Sequence, residues 1–136
     1  MNQTLRWDQN FSVNIAEMDH QHLQLFRTIA ELEYAIRAGR GDSVIDEVLD
    51  KMIQHTINHF AAEEELMERH RFPGLAAHRS DHQLLAHELA TLNLSNLAGR
   101  PDIPSAVLAF LQAWLRDHIL KTDQEYSEFL NARGVS

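Results

Sequence analysis

Apolar residues recur along most of this chain at intervals of three and four residues, which is the period of an amphipathic α-helix. Sustained alternation of apolar and polar residues, the pattern typical of strands, is not seen. Glycine and proline number 5 and 3, and they cluster at residues 39–41, 71–74 and 99–104. The pattern therefore predicts four long helices, over about 19–38, 43–69, 76–97 and 104–131. Asp42 and Ser43 are expected to cap the second helix, with Asp46 completing an approximate capping box.

The predicted connections are short, and short connections favour antiparallel neighbours. We therefore expect an all-α fold, an up-down-up-down antiparallel four-helix bundle formed by residues 17–132. Residues 1–16 are expected to form an N-terminal arm whose Trp7 and Phe11 pack on the bundle, because exposed aromatic side chains on a free tail would reduce solubility. The whole chain, 1–136, is predicted to be a single domain.

Polar residues interrupt the apolar seam of every predicted helix. On the second helix the seam continues from Met52 to His59 and Glu63, which lie four residues apart on one face. The other seams contain His22, His78, His82 and His118. In an up-down-up-down bundle these positions, early in the first and third helices and late in the second and fourth, lie at the same end. The sequence therefore predicts one polar layer inside an apolar bundle.

Two positions are ambiguous at this point. Asp123 follows His118 by five residues, about 140° around an ideal helix, so it reaches the layer only if the helix widens locally or its side chain swings in. His55 lies one turn before His59 on nearly the same face, and the layer argument favours His59. The remaining histidines, His20, His70 and His87, are expected to face solvent.

The amino-acid composition excludes several kinds of site and binding partner. The chain has 9 histidines and no cysteine in 136 residues, which excludes disulfides, thiolate metal sites and thiol nucleophiles. The formal charge of −8 argues against binding nucleic acid. Neither a signal-peptide-like nor a membrane-spanning apolar run is found, so we expect a soluble, cytoplasmic protein with no membrane partner.

Five imidazoles and two carboxylates in one apolar layer would cost several kcal/mol for each unpaired ion, and bound metal removes that cost. Seven ligands are too many for one zinc ion, which prefers four, so two metal ions are predicted. Of twelve positions on two six-coordinate ions, five imidazoles, two bridging carboxylates and one bridging oxygen fill eleven. One position is left for a small molecule. Imidazole and carboxylate ligands suit iron, although manganese, cobalt or zinc would fit the same groups.

The combined pattern of these residues resembles the hemerythrin family, and bacterial hemerythrins in particular, over nearly the whole chain. The runs that carry the resemblance are MDHQH at 18–22, HFAAEE at 59–64, HRSDH at 78–82 and WLRDHILKTD at 114–123. The resemblance implies reversible dioxygen binding, for carriage, storage or delivery, at two non-haem iron ions (Fe²⁺/Fe³⁺) with an oxo or hydroxo bridge.

Carried onto this chain, the resemblance makes His78, His82 and His118 ligands of the six-coordinate iron. His22 and His59 become ligands of the five-coordinate iron, and Glu63 and Asp123 bridge the two ions. It also makes Leu115 part of the pocket that receives dioxygen, and Trp114 lies beside Leu115. A separate protein that consumes the oxygen is a further partner consistent with this family.

Other functions on the same bundle are a diiron oxidase or peroxidase, an iron- or nitric-oxide-handling enzyme, or an oxygen or redox sensor acting through a separate partner. Oxygen-activating diiron sites of ferritin-like bundles use four carboxylates and two Glu-x-x-His motifs. Here the only Glu-x-x-His joins Glu17 to His20, outside the layer. A histidine-rich site carries less negative charge and is expected to stabilise highly oxidised iron less, which favours binding over enzymatic turnover.

Overall fold

Helices form all of the regular structure in the part of the chain that the structure, a computed structural model, describes: residues 6–91 and 103–136. The elements in order are a 3₁₀ turn (Gln9–Phe11), α1 (Ala16–Arg37), α2 (Gly41–Arg69), α3 (Leu75–Thr91), α4 (Ile103–Asp117), a π-helical segment (His118–Asp123) and α5 (Gln124–Ala132). The last three elements follow one another without a break and form the fourth rod of the predicted four-helix bundle. The predicted end of the third helix, at residue 97, lies outside the described residues.

The start of α1 lies three residues earlier than predicted. Asp19 is inside the first turn, where its carboxylate accepts hydrogen bonds from Ser12 Oγ at 2.6 Å and from the backbone N–H of Val13 at 2.9 Å. This carboxylate ties the arm to the helix. The arm also packs as predicted, because Phe11 is buried against Phe26, with ring centroids 5.0 Å apart, and Trp7 is half-buried against the core.

The start of α2 differs from the prediction. The helix begins at Gly41, so Asp42 and Ser43 lie inside it and the predicted cap is wrong. No side chain caps this end, and the Ser43 hydroxyl instead donates to the carbonyl of Arg40 at 2.8 Å. A β-carbon at position 41 would lie 2.9 Å from a side-chain carbon of Pro104, so glycine there permits the close approach of α4.

Two apolar clusters fill the bundle on either side of the predicted polar layer. The larger one takes Leu25 from α1, Phe60 from α2 and Ile119 from the π-helical segment. The smaller one takes Met18 from α1 and Met67 from α2, together with residues of the arm and α5. Because α1 passes from Met18 through His22 to Leu25, the polar layer is sealed above and below by hydrocarbon. No described helix combines the length and the apolar character needed to cross a membrane.

Candidate metal centre

All seven predicted ligand residues meet in one buried layer. None of their side chains exposes more than 3% of its surface. The seven residues are His22, His59, Glu63, His78, His82, His118 and Asp123. His55 is half-buried and joins neither group of potential metal ligands, so the structure selects His59 over it. His20 and His87 are exposed as predicted, and His70 is half-buried.

The ligand atoms form two overlapping groups. His22, His59, Glu63 and Asp123 place one ligand atom each within 4.8 Å of one another, and Glu63, His78, His82 and Asp123 do the same. The two groups share both carboxylates. We call the histidines of the first group, His22 and His59, the two-histidine group. His78, His82 and the adjacent His118 are called the three-histidine group.

Each shared carboxylate turns one oxygen toward each group. Oε2 of Glu63 lies 3.3 Å from His59 Nε2 and 3.8 Å from His22 Nε2, in the two-histidine group. Its Oε1 lies 3.1 Å from His82 Nε2 and 3.9 Å from His118 Nε2, in the three-histidine group.

Asp123 divides its oxygens in the same way. Oδ2 lies 3.0 Å from His22 Nε2, whereas Oδ1 lies 3.2 Å from His118 Nε2 and 3.4 Å from His78 Nε2. This is the arrangement that a carboxylate bridging two metal ions requires.

The π-helical segment brings Asp123 into the layer. In a helix with i→i+5 hydrogen bonds, residues five apart return to the same face, so His118 and Asp123 both point inward. Of the two routes by which Asp123 reaches the layer, the structure shows the local widening of the helix.

Unpaired buried atoms show that these residues fit a metal. Both Asp123 oxygens and Glu63 Oε1 are buried without a hydrogen-bond partner among the described residues, as are the Nε2 atoms of His78, His82 and His118. The short distances between these nitrogen and oxygen atoms are therefore not hydrogen bonds, because their angles are unsuitable. Orphaned buried polar atoms are rare because each costs about 1–3 kcal/mol. Metal ions between the imidazoles and carboxylates would satisfy these atoms together.

The electrostatics of the layer differ from residue to residue. Burial alone would raise the pKa of Glu63, but His59, His22 and His82 outweigh burial and hold that pKa well below its usual range. Burial and the charge of Glu63 oppose ionisation of Asp123, yet the surrounding imidazoles lower its pKa as well. Both bridging candidates are therefore carboxylates at neutral pH.

The pKa values of the buried imidazoles His22 and His118 are shifted in opposite directions. Burial disfavours the charged form of His22, but its contacts with Asp123 and Glu63 prevail and raise its pKa to about 9. Burial dominates at His118, where it lowers the pKa to about 4 in spite of the nearby carboxylates. His22 Nε2 also lies 2.9 Å from His59 Nε2.

Three residues that the sequence analysis did not select hold the layer from outside. The Oε1 atom of Gln21 lies 2.6 Å from His59 Nδ1, and a carboxylate oxygen of Glu64 lies 2.8 Å from His82 Nδ1. Each accepts the Nδ1 proton and leaves Nε2 free to face the layer. Tyr126 donates from its hydroxyl to Glu63 Oε2 at 2.6 Å. The sequence could have indicated Gln21 and Glu64 only by their position, since each directly neighbours a predicted ligand.

Aromatic and aliphatic side chains form the wall of the layer. Phe60 stacks on His82 with ring centroids 3.8 Å apart and an interplanar angle of 1°. Leu115 is fully buried, and Trp114, 5% exposed, donates from Nε1 to the carbonyl of Leu85 at 3.3 Å. A cavity of about 250 Å³ between α3 and α4 reaches His118 and Trp114 from the surface.

A family model described as the hemerythrin HHE cation binding domain matches residues 13–130. This chain belongs to the hemerythrin family. It is similar to a bacteriohemerythrin of Stenotrophomonas maltophilia, with 32% identity over 128 residues that cover 94% of this chain and 82% of the relative. It is also similar to a myohemerythrin of Riftia pachyptila, with 29% identity and 88% coverage of both chains.

Solved hemerythrin structures share the fold. A crystal structure of wild-type hemerythrin superimposes with a TM-score of 0.78 at 29% identity and covers 93% of this chain and 97% of that one. Membership of the hemerythrin family confirms the resemblance and the four-helix bundle, and it implies that the metal of this layer is non-haem iron.

Proposed function

We propose that this protein binds dioxygen reversibly at two non-haem iron ions held in the buried layer. The observation that carries the proposal is the division of the Glu63 and Asp123 oxygens between two histidine groups. A single ion uses one ligand cluster, whereas here two clusters share two carboxylates, each with one oxygen toward each cluster. Iron suits such a set of imidazoles and carboxylates.

In this proposal His22 and His59 hold one ion, and His78, His82 and His118 hold the other. Glu63 and Asp123 would bridge the two ions, together with an oxo or hydroxo group. The two-histidine group would supply one protein ligand fewer than the three-histidine group, so the open position would lie on the ion held by His22 and His59. Bound in this way, the iron pair supplies the electrons that dioxygen accepts on binding and returns on release.

The protein residues keep that exchange reversible by fixing the ligands and excluding water. Gln21 and Glu64 set the orientation and the tautomer of His59 and His82. Burial raises the pKa of Tyr126 well above its usual value, and the charge of Glu63 raises it further. The Tyr126 hydroxyl therefore keeps its proton and remains a donor to Glu63.

Leu115 and Trp114 are proposed to form the apolar wall of the dioxygen pocket. Leu115 is fully buried, and the Trp114 ring lies 6.3 Å from the His118 ring with an interplanar angle of 25°. Hydrocarbon at this position keeps away the water and protons that would otherwise convert the site irreversibly to its oxidised form.

The proposal favours a binding protein over an enzyme. The layer contains five imidazoles and two carboxylates, instead of the four carboxylates of oxygen-activating ferritin-like sites. Fewer anionic ligands give less stabilisation to highly oxidised iron, so we propose that the site releases oxygen unchanged.

The test is an anaerobic-to-aerobic optical titration of reduced, iron-loaded protein, followed by removal of oxygen. A visible band that forms with oxygen and disappears on its removal, through repeated cycles, is the expected result. Protein loaded with zinc, which uses the same ligands without redox chemistry, is the control and should show no band. An irreversible change, or turnover of an added reductant, would contradict reversible binding.

A further inference from the structure

A groove of about 440 Å³ lies between the N-terminal arm and the outward face of α1, away from the metal layer. Its walls are formed by residues 6 and 7 of the arm and by α1 positions 23, 26, 27, 30, 33, 34 and 37. Most of the helical positions are spaced by three and four residues, so they form one stripe along α1. The volume lies within the range of about 300–1,000 Å³ that is typical of small-molecule sites.

Positive charge is concentrated in this groove. Arg6, Arg27 and Arg37 line it in a protein whose net charge is −8. Among the described residues that line the groove, Glu33 is the one acidic residue, and it forms an ion pair with Arg37 at 2.8 Å. Arg6 and Arg27 form no ion pair with any residue that the structure describes. A guanidinium group binds a carboxylate or phosphate through two parallel hydrogen bonds, so the groove is suited to an anion.

The rest of the groove is apolar and aromatic. Phe26 forms part of its floor and is held in place by the Phe11 ring. Tyr34, which is 70% exposed, lines the groove from α1, and the half-buried Trp7 lines it from the arm. The indole Nε1 of Trp7 is buried and lacks a hydrogen-bond partner among the described residues, so it is a donor without an acceptor.

From these observations we infer that the groove binds a small amphipathic anion, an aromatic body carrying a carboxylate or phosphate. The ring of the ligand packs against Tyr34 and Trp7, and its anionic group pairs with Arg27 and Arg6. Aromatic faces and arginine side chains together favour such a ligand over a purely inorganic ion.

The dimensions favour a small molecule over a protein partner. A stable protein interface buries about 800 Å² on each partner and contains a cluster of apolar anchors. In the described part of the chain the other exposed large apolar side chains are Ile57, Leu84 and Leu120, and none of them lines the groove. Tyr34 is therefore an isolated exposed aromatic residue beside a concave, charged site.

The experiment is calorimetric titration of the iron-loaded protein with three probes that share one ring system: 1-naphthoate, 1-naphthyl phosphate and the neutral 1-naphthalenemethanol. We expect saturable binding of at least one anionic probe and binding of the neutral probe that is weaker by about tenfold or more. The stronger of the two anionic probes identifies the head group. An unchanged visible spectrum during the titration shows that the probe does not bind at iron.

Variants locate the probe. Arg27→Gln and Tyr34→Ala are each expected to weaken binding by about tenfold, since each removes one part of the recognition. Arg69→Gln is the matched control, because it removes the same charge from an exposed residue that pairs with Glu65 on α2. Absence of saturable binding at millimolar probe would overturn the inference, as would equal affinity in all three variants and the parent protein.

Discussion

The two-histidine group and the three-histidine group share the same carboxylates, but their imidazoles behave differently. His22 forms close contacts with both Asp123 and Glu63, and its pKa is raised to about 9. His118 lies at similar depth, yet burial and repulsion from His59 and His82 leave its pKa at about 4. His118 Nε2 also lies 3.2 Å from Asp123 Oδ1, so the two residues differ in which influence prevails: the carboxylates at His22 and burial at His118.

This difference has a consequence for metal binding. The three-histidine group offers neutral His118 to an incoming ion, whereas His22 in the two-histidine group must first lose a proton. In the three-histidine group, in spite of burial, the contacts of His82 with Glu63 and Glu64 raise its pKa as well. The two-histidine group therefore holds its ion with fewer imidazoles and without one whose pKa is lowered, as that of His118 is. We expect the two-histidine group to be the weaker half of the centre.

The largest effect is expected when the two groups lose a shared carboxylate. Glu63→Gln removes the charge that both groups use, so we expect nearly complete loss of iron and of the stabilisation that bound metal gives the fold. Iron content and melting temperature measure both effects. Glu65→Gln, on the same helix but 72% exposed, is the control and should retain its iron. Normal iron content in Glu63→Gln would show that the carboxylate is not a ligand.

A smaller effect is expected when one group is damaged and the other is left intact. His22→Ala leaves the two-histidine group with one imidazole, whereas His118→Ala leaves the other group with two. Both variants should lose iron, and His22→Ala should lose more of it. His87→Ala, which removes an exposed imidazole, should bind as much iron as the parent protein. Equal iron content in all three variants would refute the ligand assignment.

Changing the acceptors behind the ligands should alter affinity by less. Glu64→Gln replaces the anionic acceptor of His82 Nδ1 with a neutral one, and we expect iron affinity to fall by about tenfold. Gln21→Glu makes the opposite change behind His59 and should strengthen the two-histidine group. Competition with a chelator measures both affinities. Glu68→Gln is the control, because Glu68 also contacts Arg79, at 3.4 Å, without touching a histidine of the layer. A loss in Glu68→Gln as large as in Glu64→Gln would assign the effect to Arg79.

The smallest expected effect is on the stability of the metal-free protein, which should depend on pH differently through His22 and through His118. The raised pKa of His22 stabilises the fold fully below its unfolded value of about 6.5, and this stabilisation is lost as pH rises through about 9. The lowered pKa of His118 acts in the opposite direction, because stability is lost as pH falls from about 6.5 through about 4. Melting temperatures of chelated protein should therefore decline on both sides of neutrality.

The variant His22→Gln tests whether His22 causes the fall in melting temperature at alkaline pH. Chelated His22→Gln has no imidazole to deprotonate at this position, so its melting temperature should change less between pH 7 and 9.5 than that of the parent protein. An identical alkaline decline in the two proteins would mean that His22 is not the group responsible.

Much of the fold and most of the layer follow from spacing in the sequence. Apolar residues at intervals of three and four predicted the helices. The polar residues within these seams pointed to His22, His59 and Glu63, because burial of a polar group in an apolar seam is costly. The sequence suggested Asp123 as a ligand but could not show that it reaches the layer. In an ideal α-helix its side chain would point away from that of His118, and the π-helical widening brings the two to the same face.

Other features depend on contacts that no periodicity encodes. Gly41 at the start of α2 lies against Pro104, which is 63 residues further along the chain. Tyr126 reaches Glu63 from a helix that the sequence pattern merged with its predecessor. Gln21 and Glu64 lie about 100° away from the seam positions that they adjoin, so a search for inward-facing residues passes over them.

The widened turn at His118–Asp123 also sets the rotational phase of everything that follows it. The π-helical segment contains one residue more than a regular α-helical turn would, and this extra residue sets the rotation at which Tyr126 and Leu130 are fully buried. Deleting a single residue there would restore regular α geometry and rotate the last segment by about 100°, which carries both side chains off their present partners. One additional residue in the π-helical segment therefore fixes the orientation of the carboxyl-terminal helix relative to the candidate metal ligands.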